Sequence, residues 1–138
     1  MGPKDKSQYR ILVVDDHEDN IELLRARLEA RGYIVEGAGD GQAALDAVDR
    51  QCPDLILISE RMPVLDGVEA ARRIRRQNKE CVFPIVAMST YPTKEAQGAA
   101  LAAGCDSFVA EPIDFVLLSN LLGRLLPGAA GRQSRGSS

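Results

Sequence analysis

Apolar and polar positions along this chain form two alternating kinds of segment. Short unbroken apolar runs lie at Ile11-Leu12-Val13-Val14, Leu55-Ile56-Leu57-Ile58 and Pro84-Ile85-Val86-Ala87-Met88. Runs of this length, rich in branched residues and without polar alternation, suit strands buried on both faces. Ile34-Val35 and Phe108-Val109 read as weaker strands, at a sheet edge or a less covered position. Between the runs the spacing turns helical. Ile21, Leu24 and Leu28 share one face, and Gly32 follows as a stop. Ala43, Ala44, Ala47 and Val48 make a second stripe before Pro53. Asp66-Gly67-Val68-Glu69 has capping-box spacing and predicts a helix with Val68, Ala71 and Ile74 inward. Thr93 predicts the cap of a helix running to Gly104, whose inner face is mostly alanine with Leu101 as its large apolar residue. Asp114 predicts the cap of a last helix striped by Val116, Leu117, Leu121, Leu122 and Leu125 and ended by Pro127-Gly128.

Strand and helix alternate five times, which predicts an α/β domain with a parallel sheet and helices on both faces. The 138 residues leave room for one domain, placed here at 9–126. Residues 1–8 read as a flexible N-terminus and 127–138, rich in Gly, Ser and Arg, as a disordered tail or linker.

Composition then excludes whole classes. A net charge of −3 and a pI near 5.2 argue against an electrostatic nucleic-acid binder. No apolar run reaches the ~18 residues of a membrane span, and the polar start lacks a signal core, so a cytoplasmic protein is expected. Cys52, Cys81 and Cys105 are odd in number and form no C-x-x-C pair, so they read as buried free thiols in a reducing compartment. The single histidine, His17, rules out a His-rich metal site and argues against a Ser-His-Asp hydrolase. No Gly-rich phosphate loop is present.

The candidate chemistry lies just past the strands. Asp15 and Asp16 follow the first, Ser59 the third, Ser89 and Thr90 the fourth, and Glu111-Pro112 the fifth. In an open doubly wound sheet these positions share the carboxyl edge, where such folds place their sites. Two adjacent acids repel unless a cation compensates, and a hard divalent ion such as Mg²⁺ is the natural partner. The alternative is that Asp16 or Asp19 caps the next helix. Spacing does not choose between them.

The runs ending in Asp15-Asp16, Pro53-Asp54-Leu55-Ile56-Leu57-Ile58, Met62-Pro63-x-x-Asp66-Gly67, Pro84 to Ser89 and Ala103 to Pro112 stand in a recognisable order. Over residues 8–126 the chain resembles a response-regulator receiver domain, the phospho-accepting module of two-component signalling. The resemblance implies a flavodoxin-like (βα)₅ fold with strand order 2-1-3-4-5. It also implies that Asp15 and Asp16 correspond to Mg²⁺-holding acids, Ser89 to a phosphate-binding hydroxyl, Phe108 to the switch aromatic and Pro112 to a proline after a cis bond. Two positions depart from the pattern. The phospho-acceptor position is Ser59, and the position of a lysine is Glu111.

A serine hydroxyl is neutral at pH 7 and needs a base to act as a nucleophile. A glutamate in place of lysine repels a phosphoryl group; one unit-charge contact at ~4 Å is worth about 4 kcal/mol at an effective dielectric of ~20. The expectation is therefore a pseudo-receiver, not an enzyme. It keeps a degenerate pocket of Asp15, Asp16, Ser89 and Glu111 around Ser59, requires no cofactor, and acts by protein contact. Its partner would be a histidine kinase, phosphotransfer or output protein meeting the fourth helix, fifth strand and fifth helix, with no nucleic-acid or membrane partner. The alternatives are a receiver variant holding a divalent cation on Asp15, Asp16 and Glu111, and a domain regulated by phosphorylation of Ser59. Arg61 is expected in solvent unless it restores a positive charge. Glu60 is expected to point away from the site, by strand alternation.

Overall fold

A computed structural model describes residues 9–126. The expectations for 1–8 and 127–138, including the Pro127-Gly128 stop, lie outside the described residues. The elements in chain order are β1 (Arg10–Val14), α1 (Glu18–Glu29), β2 (Ile34–Ala38), α2 (Gly41–Arg50), β3 (Leu55–Ser59), α3 (Gly67–Gln77), β4 (Ile85–Ser89), α4 (Lys94–Ala102), β5 (Ser107–Ala110) and α5 (Phe115–Leu125). The strands form one parallel sheet in the order β2-β1-β3-β4-β5. This is the doubly wound flavodoxin-like arrangement that the alternation and the resemblance imply.

The unbroken apolar runs are explained by burial on both faces. Along β1, Leu12 and Val14 pack on one side with Ala44, Val48, Ala70 and Ile74 of α2 and α3. Ile11 and Val13 pack on the other with Ile21, Leu24 and Leu28 of α1 and Leu118, Leu121 and Leu122 of α5. The three inner strands lie between two cores, so neither face of them can be polar. Three of the caps read from sequence are made. Asp66 accepts from the Glu69 N–H, Thr93 from Ala96 and Asp114 from Val116 and Leu117. Asp40 caps α2 in the same way, accepting from Ala43.

The sequence stripes were too broad in two helices. Val116 and Leu117 are 67% and 64% exposed, and α5 buries Leu118, Leu121 and Leu122 instead. The Asp114 cap fixes the rotation of the helix, and three adjacent apolar residues cannot all face the sheet. Leu101 is also turned outward, and α4 buries Ala100 alone. Among the described residues, no helix is long and apolar enough to cross a membrane.

The cysteine expectation is corrected. Cys52 and Cys81 form a disulfide with a Cα–Cα distance of 5.9 Å. Only Cys105 is a buried free thiol, its pKa pushed up to about 11 by burial. Cys52 precedes β3 and Cys81 precedes β4, and these strands are paired neighbours. Parallel pairing therefore brings their leading loops together at the amino edge, a proximity invisible in residue spacing. Arg75 of α3 adds a polar tie nearby, donating to the carbonyls of Gly104 and Phe83 and to the Asp106 carboxylate.

A bridge across a 29-residue separation restricts the unfolded chain by about 3–4 kcal/mol in the loop-entropy account. Urea unfolding with and without dithiothreitol is expected to show a loss of that size on reduction. The Cys52→Ser/Cys81→Ser variant should already be at the lower stability and should not respond to the reductant.

Candidate functional site

The parallel register gathers the polar strand ends. Val14 lies beside Ile58 and Ala38, Ser59 beside Met88, and Ser89 beside Ala110. The next residue after β1 is Asp15, whose N–H still donates to the Ala38 carbonyl at 3.0 Å. The N–H of Glu111 donates to the Ser89 carbonyl at 2.8 Å. Backbone pairing alone thus sets Asp15, Ser59, Ser89 and Glu111 along one edge.

Asp15 is buried to 1% exposure, and its carboxylate organises the turn into α1. It accepts from the His17 N–H at 2.9 Å and from Asn20 Nδ2 at 3.3 Å. His17, not Asp16 or Asp19, occupies the N-cap position of α1, with no side-chain cap bond. Neither acid is therefore used up in capping. The His17 Nδ1 stands 3.4 Å from Asp15 Oδ1 and 3.2 Å from Asp16 Oδ1. Ligand atoms of Asp15, Asp16 and His17 lie within 4.8 Å of one another. The sequence reading grouped Glu111 with the two acids; the compact cluster holds His17 in its place. The signal for this was the adjacency of Asp15, Asp16 and His17 in a loop, which strand-end reasoning set aside.

Ser59 ends β3 half-buried, and its Oγ donates to the Arg61 carbonyl at 3.2 Å. Gly67 explains the shape of this turn. Its N–H donates to the Glu60 carbonyl at 3.0 Å, and a Cβ here would fall on the Ser59 carbonyl oxygen, well inside contact distance. Only glycine allows the start of α3 to come this close to the end of β3. Glu60 does not turn away. It lines an open cleft with Asp16, Arg61, Met62 and Asp66, because strand alternation stops where β3 stops. Arg61 lies in the same cleft with its guanidinium 5.7 Å from the centre of the Tyr91 ring, a cation–π contact.

Ser89 is buried and its Oγ accepts from the Tyr91 N–H at 3.1 Å. Phe108 is half-buried and packs against the α2–α3–α4 core. The Glu111–Pro112 peptide is cis. The carboxyl of Glu111 is raised above its ordinary pKa, first by burial and then by the charge of Asp15, with His17 acting in the opposite sense.

The sequence profile of the response regulator receiver domain matches residues 11–122. The chain belongs to that family. It is 36% identical over 116 residues to an uncharacterized 14.6 kDa protein in the sodA1 3′ region of Leptolyngbya boryana, covering 84% of this chain and 88% of that protein. It is 38% identical over 109 residues to the response regulator PleD of Caulobacter vibrioides, covering 79% of this chain but 24% of PleD. The receiver thus spans only about a quarter of the length of that relative. Two solved structures superpose well. The Vibrio cholerae chemotaxis protein CheY4 gives a TM-score of 0.81 at 29% identity, over 86% of this chain and 98% of that one. The receiver domain of sensor histidine kinase PA1611 from Pseudomonas aeruginosa gives 0.78 at 34%, over 86% and 97%, and carries a magnesium ion in its active-site cleft.

Two measurements follow from this geometry. Gly67→Ala is expected to destabilise the receiver by roughly 3 kcal/mol or more in urea unfolding, because backbone rather than a flexible side chain must move. The raised pKa of Glu111 means that the folded chain holds this proton more tightly than the unfolded chain. Its contribution to stability is therefore present at low pH and falls as pH rises from the ordinary glutamate value through the raised one. Glu111→Gln should be more stable than the native chain at pH 7, with the difference vanishing below about pH 4.

Proposed function

We propose that this receiver is a two-component signalling module that does not carry a phosphoryl group on an aspartate and works by protein–protein contact. The observation that carries this reading is the strand-end pair of Ser59 and Glu111. Ser59 occupies the phospho-acceptor-equivalent place, and its hydroxyl is donated to a backbone carbonyl rather than to a base. A serine nucleophile needs a base within hydrogen-bond reach, and His17 is turned to Asp15 and Asp16 instead. This disfavours both an enzyme and a self-modifying serine. On the same sheet edge, past the end of β5, stands Glu111, a carboxyl already disfavoured in its ionised form by burial and by Asp15. A phosphoryl group would add negative charge beside both. Arg61, the guanidinium in the neighbouring cleft, is engaged on Tyr91.

The contact surface is assigned to α4, β5 and α5. Leu101, Val116 and Leu117 stand outward there, each more than half exposed. Apolar side chains of this size in solvent are what a docking face offers a kinase, phosphotransfer or output protein. Phe108 on β5 would couple that face to the pocket, and Ser89 would remain as the surviving hydroxyl of the degenerate site.

The Asp15–Asp16–His17 cluster favours a second reading, a receiver that binds a divalent cation without being phosphorylated. Two carboxylates supply oxygens suited to Mg²⁺, which would keep most of its waters; the imidazole suits a transition metal better. In either case Asp15 and Asp16 would hold the ion, and Glu111 would contribute charge at longer range.

Incubation with acetyl phosphate and Mg²⁺, read by intact-mass spectrometry, tests the main reading. The native chain is expected to gain no phosphate, whereas Ser59→Asp/Glu111→Lys gains one. A stable phosphate on a carboxylate of the native chain overturns the reading.

A further inference from the structure

Between α1 and α5 a cavity of about 300 Å³ opens next to the strand edge. Most of its wall is apolar, built from Leu23, Leu24, Met88 and Ile113. Its polar end is formed by two carboxylates, Asp15 and Glu111. Among the described residues the Glu111 side chain accepts no hydrogen bond and joins no ion pair. Each Asp15 oxygen takes one donor, from His17 or Asn20, and each keeps a further lone pair. No lysine or arginine lines the cavity; Arg27 stacks its guanidinium over the ring of Phe115, one of the lining residues, at 4.5 Å.

A hydrocarbon wall closed by two carboxylates, with His17 of the adjoining turn 3.4 Å from one of them, selects by chemistry. A bare metal ion makes no use of the apolar surface. A neutral apolar ligand leaves the carboxylates desolvated and unpaired, and an anion is repelled. We propose that this cavity binds a small alkyl- or arylalkyl-ammonium compound. The ammonium donates to Glu111 and Asp15, and the hydrocarbon lies against Leu23, Leu24 and Ile113. The volume sits at the lower end for ligand pockets, which restricts the ligand to one short chain or one ring. The site stands apart from the phosphorylation reading: it uses the same strand edge but requires neither a phosphoryl group nor a metal ion.

Amide chemical-shift titration of the full chain with phenethylammonium chloride, at pH 7.5 with EDTA, tests the site. The neutral isostere 2-phenylethanol and the anion 3-phenylpropionate serve as comparison probes. Saturable shifts are expected at Asn20, Leu23, Thr90 and Ile113, with a dissociation constant of about 1 mM. The alcohol should bind about tenfold more weakly and the anion should give no saturable shift. Glu111→Gln should weaken ammonium binding about tenfold while leaving distant amides in place. Leu23→Ala changes a half-exposed side chain that the fold does not need, and should weaken binding a few-fold. Equal binding of ammonium and alcohol, no saturation by about 20 mM, or an unchanged constant in Glu111→Gln would each overturn the proposal.

Discussion

Everything at this edge follows from one constraint: β1, β3 and β4 are covered on both faces. A strand with two buried faces has nowhere to put a polar side chain until it ends. The chain therefore places its polar residues at the strand ends, and parallel pairing stacks those ends side by side. Ser59 and Glu111 come from distant parts of the sequence, and backbone hydrogen bonding settles their common placement. The Glu111 N–H on the Ser89 carbonyl and the Asp15 N–H on the Ala38 carbonyl are the last rungs of that ladder.

The electrostatics of the edge are its unusual property. Asp15, Asp16, Glu60 and Glu111 collect there; Arg61 is stacked on Tyr91, and Arg25 borders the groove that Asp15 and Asp16 line. The His17 imidazole stands 3.4 Å from Asp15 and 3.2 Å from Asp16.

Much of this was legible in the sequence because it depends on local rules. Apolar runs named the inner strands, and Asp66, Thr93 and Asp114 named their helix starts through capping chemistry. The strand-end residues followed from topology. What escaped depended on three-dimensional proximity or on helix rotation. Cys52 and Cys81 meet because β3 and β4 are neighbours, which spacing does not reveal. Val116 and Leu117 turn outward because the Asp114 cap fixes the helix phase. Glu60 entered the cleft because alternation does not extend past the end of a strand, and His17 was passed over because only strand-end residues were gathered into the site.

The fourth helix has a consequence of its own. Of its nine residues, only the methyl group of Ala100 is buried, so little apolar surface resists its sliding or rotating on the sheet. Its outer surface, rather than its inner one, is then the side on which its pose is decided. A molecule that gripped that surface would also act on the loop that follows Ser89, and a weakly seated helix would then serve as a lever arm between the exterior and the strand edge.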